Sequence, residues 1–145
     1  MTRKSNLYQL NNKEFGKEIL LDKIEENKYC ILEFGKFKPI LNGGNLVHNS
    51  IAEIFQKYVP EQIESVNNVI IWRKSTSETW TNYSEIEVKN HLDLETYENA
   101  EFDGFRIYQL YYDIICISPS LKDKLISEYV NVDELDFIND SPNYA

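Results

Sequence analysis

The second half of the chain contains the clearest strand patterns. Apolar Ile86 and Val88 alternate with charged Glu85, Glu87 and Lys89, and a period of two is typical of a half-buried strand. Residues 105–110 alternate in the same way, and the apolar run at 114–117 has the length of a buried strand. Aromatic and branched residues predict further strands at 28–34 and 69–73, with a shorter one at 7–10.

Two segments have the apolar spacing of a helix. Asn49 or Ser50 is predicted to cap the first, and Glu53 stands three residues after Ser50, as in a capping box. The second begins around Pro119, because proline is favoured in the first turn of a helix. The apolar positions on the first helix are Ile51, Ile54, Phe55, Tyr58 and Val59, and those on the second are Leu121, Leu125 and Ile126.

The remaining segments are less regular. Residues 61–66 are interpreted as a further helical turn, residues 18–26 as a helix or an extended stretch, and residues 39–45 as a loop. Residues 93–103 are acidic and show no clear period. A closing element is predicted at 132–138, and residues 1–6 and 139–145 are expected to be frayed tails.

Length and composition fit one globular domain. The chain has 145 residues, of which 42% are hydrophobic and 13% aromatic, so it can bury a sizeable core. No repeat or linker interrupts it. We therefore expect a single α+β domain over residues 1–145, with a mostly antiparallel sheet and two or three helices packed on it.

The cysteines and the apolar runs favour a cytoplasmic protein. No run approaches the roughly 20 apolar residues that span a bilayer, and no apolar signal core follows the basic start. Cys30 and Cys116 each lie inside an apolar run, so both are predicted to be buried free thiols rather than a disulfide framework.

Candidate catalytic chemistry is sparse in the sequence. His48 and His91 are the only histidines, and neither belongs to a zinc-binding pattern. Residues 42–45, NGGN, are too short for a phosphate-binding loop and are interpreted as a turn. We predict a non-enzymatic protein without cofactor or metal, although a small enzyme whose site is assembled in space stays open as an alternative.

The negative charge is concentrated in the second half. The net charge is −9, yet residues 1–75 contain nine acidic and eleven basic residues, against fifteen acidic and four basic in residues 76–145. Such a balance disfavours duplex DNA and anionic membranes as partners, because both attract clustered Lys and Arg. A basic protein is the partner that this charge favours.

Aromatic side chains are interspersed with the acidic residues and predict a docking surface. Tyr and Trp are common anchors in protein interfaces, and a negative field speeds the encounter with a basic partner. A solvated acidic loop is the alternative. The predicted binding residues are Trp80, Tyr83, Glu85, Glu87, Asp93, Glu95, Tyr97, Glu98, Glu101 and Asp103.

Residues 83–138 resemble a family of bacterial proteins. The resemblance lies in the order of NHLDLE at 90–95, FRI at 105–107 and IICISPSLK at 114–122, followed by a helix and a closing strand. This succession is similar to immunity proteins of polymorphic-toxin systems, in the group where an LDLE segment precedes a strand, a serine, a helix and a last strand. The glycine that such sequences often carry before the last strand is absent, and Asn131 stands in that region.

The resemblance implies a function but no site residues. Immunity proteins of this kind bind a cognate toxin domain in the cytoplasm and neutralise it without catalysis. From the charge, we expect the toxin to be basic, such as a nuclease, and its active site to be occluded. A non-enzymatic acidic interaction module with another partner stays open as an alternative to the immunity function.

Overall fold

The computed structural model describes residues 6–111 and 114–139, except for the side chain of Leu94. Within these residues there are thirteen strands and three α-helices. The helices are α1 (Asn49–Tyr58), α2 (Leu94–Tyr97) and α3 (Pro119–Glu128). The strands are β1 (Tyr8–Asn12), β2 (Leu20–Glu25), β3 (Lys28–Glu33), β4 (Ile40–Leu41), β5 (Leu46–His48), β6 (Ile63–Asn68), β7 (Ile70–Arg73), β8 (Glu78–Trp80), β9 (Tyr83–Val88), β10 (His91–Leu92), β11 (Ile107–Leu110), β12 (Ile114–Ile117) and β13 (Leu135–Ile138).

The strands form three sheets. A five-stranded sheet has the order β10-β11-β12-β1-β13, and two four-stranded sheets have the orders β4-β5-β9-β6 and β2-β3-β7-β8. We name the last two the middle sheet and the outer sheet. All pairs are antiparallel except β10 with β11 and β3 with β7. The predicted α+β fold with mostly antiparallel sheet is therefore confirmed.

The middle sheet has a hydrophobic core on each face. Val47, Ile86 and Val88 belong to the largest core, which also contains apolar residues of α1, α3 and the five-stranded sheet. Leu46 and Tyr83 belong to a second core, shared with the outer sheet. The alternation along β9 explains this arrangement, because successive side chains point to opposite faces of a strand.

A third, smaller core lies under the crossover between β10 and β11. It joins Tyr97 and Ala100 of the crossover to Leu7, Leu110 and Cys116. The predicted strand at 114–117 and the helix after Ser118 are confirmed as β12 and α3. Cys116 is fully buried, whereas Cys30 is only half-buried, so the prediction of two buried thiols is correct for one of them.

Two predictions about local structure were wrong. Of the helical turn predicted at 61–66, only Glu61 and Gln62 are helical, in a short 3₁₀ turn at Pro60–Gln62, and residues 63–66 belong to β6, which pairs with β9. The N-cap of α1 is His48, whose Nδ1 accepts the Ser50 backbone N–H at 3.2 Å. Asn49 and Ser50 are therefore the first two residues of the helix and not its cap.

The predicted tails at 1–6 and 139–145 lie mostly outside the described residues. Asn139 is described, and its side-chain amide donates to the Leu7 carbonyl at 2.7 Å. Across the described part of the chain, no helix has the length and apolar character needed to cross a membrane.

Candidate functional site

A cleft of about 920 Å³ opens between the outer sheet and the middle sheet. Glu85 and Glu87 of β9 line it together with Asp22 of β2 and Glu64 of β6. Two lysines, Lys23 and Lys89, one histidine, His91, and one tyrosine, Tyr29, complete its charged and titratable lining. Because carboxylates outnumber the ammonium groups, the cleft favours a cationic ligand. We call it the acidic cleft.

Glu85 is held in place by two side chains of the outer sheet. Lys23 Nζ lies 3.2 Å from its carboxylate, and the Tyr29 hydroxyl donates to Glu85 Oε2 at 2.5 Å. Burial, reinforced by the hydrogen bond to Glu85, raises the pKa of Tyr29 well above its usual range. The charge of Glu85 is therefore partly neutralised, and its carboxylate is held in one position in the wall of the cleft.

The other carboxylates of the acidic cleft are not neutralised in this way. Among the described residues, no basic side chain lies within ion-pair distance of Asp22, Glu64 or Glu87. All three residues are exposed. Their charge is therefore available to a basic group from outside the protein.

The acidic crossover, residues 93–106, continues from the cleft through β10. Its exposed residues Glu95, Glu98 and Asp103 form no ion pair with any described side chain, whereas Glu101 pairs with Arg106 at 2.8 Å. Asp93 instead caps α2, because its Oδ1 accepts the Thr96 backbone N–H at 3.0 Å. That hydrogen bond lowers the pKa of the Asp93 carboxyl.

The three predicted aromatic anchors do not line the acidic cleft. Tyr83 and Tyr97 are 4% and 1% exposed, so their rings pack in the interior and have no face open to a partner there. Trp80 is half-buried against Phe37, with ring centroids 4.9 Å apart. Trp80 and Tyr83 instead border a separate, smaller cavity.

Sequence reasoning missed Asp22 and Glu64. Both come from the first half of the chain, which is slightly basic overall, and neither lies in a charge cluster. The stacking of the outer sheet on the middle sheet brings Asp22 to the cleft, and the pairing of β6 with β9 brings Glu64 there. Neither β2 nor β6 alternates regularly between apolar and polar residues, so the sequence held no local signal for either position.

The histidines and cysteines are far less organised than the acidic residues. In the described part of the chain, no group of three or more His, Cys, Asp and Glu side chains is arranged to hold a metal ion. His48 is engaged as the cap of α1, and His91 lines the acidic cleft. Burial raises the pKa of the Cys116 thiol to about 12, and a protonated thiol is a poor nucleophile.

No protein-family model, no curated protein and no solved structure matches this chain.

Proposed function

We propose that this protein is an immunity protein that binds a basic toxin domain in the bacterial cytoplasm and occludes the toxin's active site. The proposal rests on the acidic cleft, where Asp22, Glu64 and Glu87 are exposed without a basic partner among the described residues. The order of motifs in residues 83–138, which resembles immunity proteins, supports the same function.

The cleft suits a protein ligand that carries positive charge. Uncompensated carboxylates on its walls attract Lys and Arg side chains, and charge-assisted hydrogen bonds to them are among the stronger ones in proteins. The fixed Glu85 adds an acceptor whose position does not have to be ordered on binding. A basic loop from the rim of a nuclease active site fits these requirements.

The acidic crossover adds attraction at longer range. Its exposed carboxylates follow directly after β10, whose His91 lines the cleft. Fields of one sign raise the rate at which oppositely charged proteins meet. In this arrangement the crossover guides the partner and the cleft holds it.

Co-expression with the domain encoded immediately upstream of this gene tests the proposal. We expect the protein to restore growth and to form a one-to-one complex by calorimetry. The double variant Glu64→Lys/Glu87→Lys is expected to weaken that complex at least roughly tenfold, since each reversal places a like charge against the partner.

A matched control keeps the net charge of that variant. Glu53 and Glu78 are exposed and do not line the cleft, so Glu53→Lys/Glu78→Lys is expected to bind as the wild type does. Equal binding by the two double variants would remove the cleft from the interface. Absence of both rescue and binding with the wild-type protein would overturn the immunity function itself.

A further inference from the structure

A second cavity, of about 290 Å³, lies where β5 and β9 meet the residues that follow α3. Three of the rings that line it come from strands, one comes from the segment between β3 and β4, and one comes from the end of α3. We call it the aromatic cavity, and its ring-bearing residues are Phe37, His48, Trp80, Tyr83 and Tyr129.

The rings of the aromatic cavity form a continuous band. Phe37 stands between Trp80 and Tyr83, with centroids 4.9 Å and 6.1 Å away, and it is nearly parallel to Tyr83. His48 continues the band edge-on to Tyr83 at 5.6 Å and reaches Tyr129 at 6.4 Å. Tyr83 and Tyr129 are buried, whereas Phe37, His48 and Trp80 are half-buried, so parts of these last three rings border the cavity.

Hydrogen bonds fix this band before any ligand arrives. The Tyr83 hydroxyl donates to the Lys38 carbonyl at 2.7 Å, and His48 Nδ1 is occupied by the Ser50 N–H. Tyr83 and Tyr129 are also buried, which restricts their rotamers. A preformed cavity of this kind loses little side-chain entropy on binding.

Two charged side chains line the cavity, Glu134 and Lys38. Exposed Glu134 lines it, and burial together with the Glu134 charge raises the pKa of both Tyr83 and Tyr129. The other ionisable side chain in the lining, apart from the rings, is Lys38, whose ammonium donates to the main-chain oxygens of Glu14 and Gly16. Lys38 is buried and has both of these carbonyl partners, whereas Glu134 is exposed, so the carboxylate is the charged group of the lining that a ligand can reach.

Phe34, a ring that borders this band, already stacks with a guanidinium of the protein itself. Arg73 Cζ lies 4.2 Å from the centroid of Phe34, and Phe34 lies 6.2 Å from Trp80 and 6.1 Å from Phe37. Guanidinium groups stack on aromatic faces because the ring quadrupole attracts their charge and both groups are planar. The chemistry of this band is therefore suited to arginine.

We propose that the aromatic cavity is a binding site for an arginine side chain of a protein partner, with the guanidinium against Trp80 and Phe37 and hydrogen-bonded to Glu134. Exposed apolar side chains beside it point to a protein rather than a small molecule. Val130, next to Tyr129, is 90% exposed, and Phe34 is 49% exposed. The site is separate from the acidic cleft and does not depend on toxin binding.

Nuclear magnetic resonance with short peptides tests the site directly. The probe is the blocked tripeptide acetyl-Gly-Arg-Gly-amide, and its control replaces arginine by citrulline, which has the same shape without the charge. We expect the arginine peptide to shift the indole N–H signal of Trp80 and to leave that of Trp72 unchanged. The citrulline peptide is expected to produce no saturable shift.

Variants of two neighbouring acidic residues separate a specific contact from a general charge effect. Glu134→Gln is expected to weaken binding of the arginine peptide by about threefold or more. Asp133→Asn removes the same charge one residue away, from a side chain that does not line the cavity, and is expected to bind normally. Both positions are exposed, so both variants should fold.

Three results would overturn the proposal. The first is an equal shift of Trp80 with the arginine and citrulline peptides. The second is equal weakening by Glu134→Gln and Asp133→Asn. The third is saturable binding of agmatine without binding of the tripeptide, since that would make the cavity a small-molecule site.

Discussion

Tyr29 lies buried between the outer sheet and the middle sheet, with its hydroxyl donated to Glu85. Its burial and this hydrogen bond both favour the protonated phenol. The unfolded chain has neither, so its tyrosines ionise at the ordinary pKa of about 10. Stability that is fully present below about pH 10 is therefore lost as the pH rises toward the folded pKa.

The first prediction concerns this alkaline loss of stability. The free energy of unfolding should fall above about pH 10, with Tyr29 alone contributing about 1.4 kcal/mol per pH unit. Tyr83, Tyr129 and Cys116 add to the fall, because burial raises their pKa in the folded state as well. Urea unfolding followed by circular dichroism from neutral to alkaline pH measures this slope.

Tyr29→Phe isolates the contribution of one phenol. At neutral pH the variant should be about 1–2 kcal/mol less stable, since Glu85 loses a donor. In alkaline solution its stability should fall less steeply than that of the wild type, because one titrating group is gone. Parallel curves for the two proteins across this pH range would contradict the assignment.

Helix α1 shows what a local pattern can and cannot determine. The spacing of Ile51, Ile54 and Phe55 predicts both the helix and its buried face, and both are confirmed. The cap was misplaced because Ser and Asn are the usual N-cap residues and histidine is not. His48 takes that position because β5 ends there, with its ring held against Tyr83.

The second prediction follows from the observed cap. His48→Ala should destabilise the protein by about 1 kcal/mol, and His48→Asn should recover most of that, since an asparagine oxygen accepts the same N–H. Ser50→Ala is the matched control and should change stability by less than about 0.5 kcal/mol. Urea unfolding midpoints measure all three, and a larger loss with Ser50→Ala than with His48→Ala would contradict the cap.

Elements that are determined by residues adjacent in the sequence could be predicted, whereas elements that depend on pairing with a distant strand could not. The strand β9 and the helix α3 were recognised because alternation and a first-turn proline are local signals. Ile63 and Val66 have the spacing of a helix and not of a regular strand, and β6 forms by pairing with β9, with a register shift between Ile63 and Ser65. Helix α2 is a single turn, too short for periodicity, although Asp93 and Thr96 form a capping box.

At the scale of the whole molecule, the fold brings acidic residues from separate parts of the sequence together at the acidic cleft. Glu85 and Glu87 were predicted as binding residues and do line the acidic cleft, because consecutive odd positions of one strand share a face. Asp22 and Glu64 join them only through sheet stacking and pairing, which no single segment encodes. The buried positions of Tyr83 and Tyr97 likewise depend on the cores that surround them.

The third prediction separates long-range attraction from contact. If the immunity function holds, Glu95→Lys/Glu98→Lys in the acidic crossover should slow association with the toxin domain roughly threefold to tenfold at low salt. Dissociation should be unchanged, and the dependence on ionic strength should become flatter. Stopped-flow mixing over a salt series measures the rates.

A second double variant is the control for the crossover variant. Glu53→Lys/Glu78→Lys has the same net charge and should keep most of the wild-type association rate. A faster dissociation of the crossover variant, with unchanged association, would show that these residues touch the partner instead of guiding it.

The position of β1 determines the order in which this protein can fold. Leu10 pairs with Ile115 on one side and with Phe137 on the other, so the first strand is flanked by strands synthesised more than a hundred residues later. Closing such long loops is slow compared with forming local hairpins. On the ribosome, β2 with β3 can pair early, whereas the five-stranded sheet must wait for the last strand to emerge. If the immunity function holds, protection against a toxin that enters the cell would then depend on molecules that have already folded, not on those still being translated.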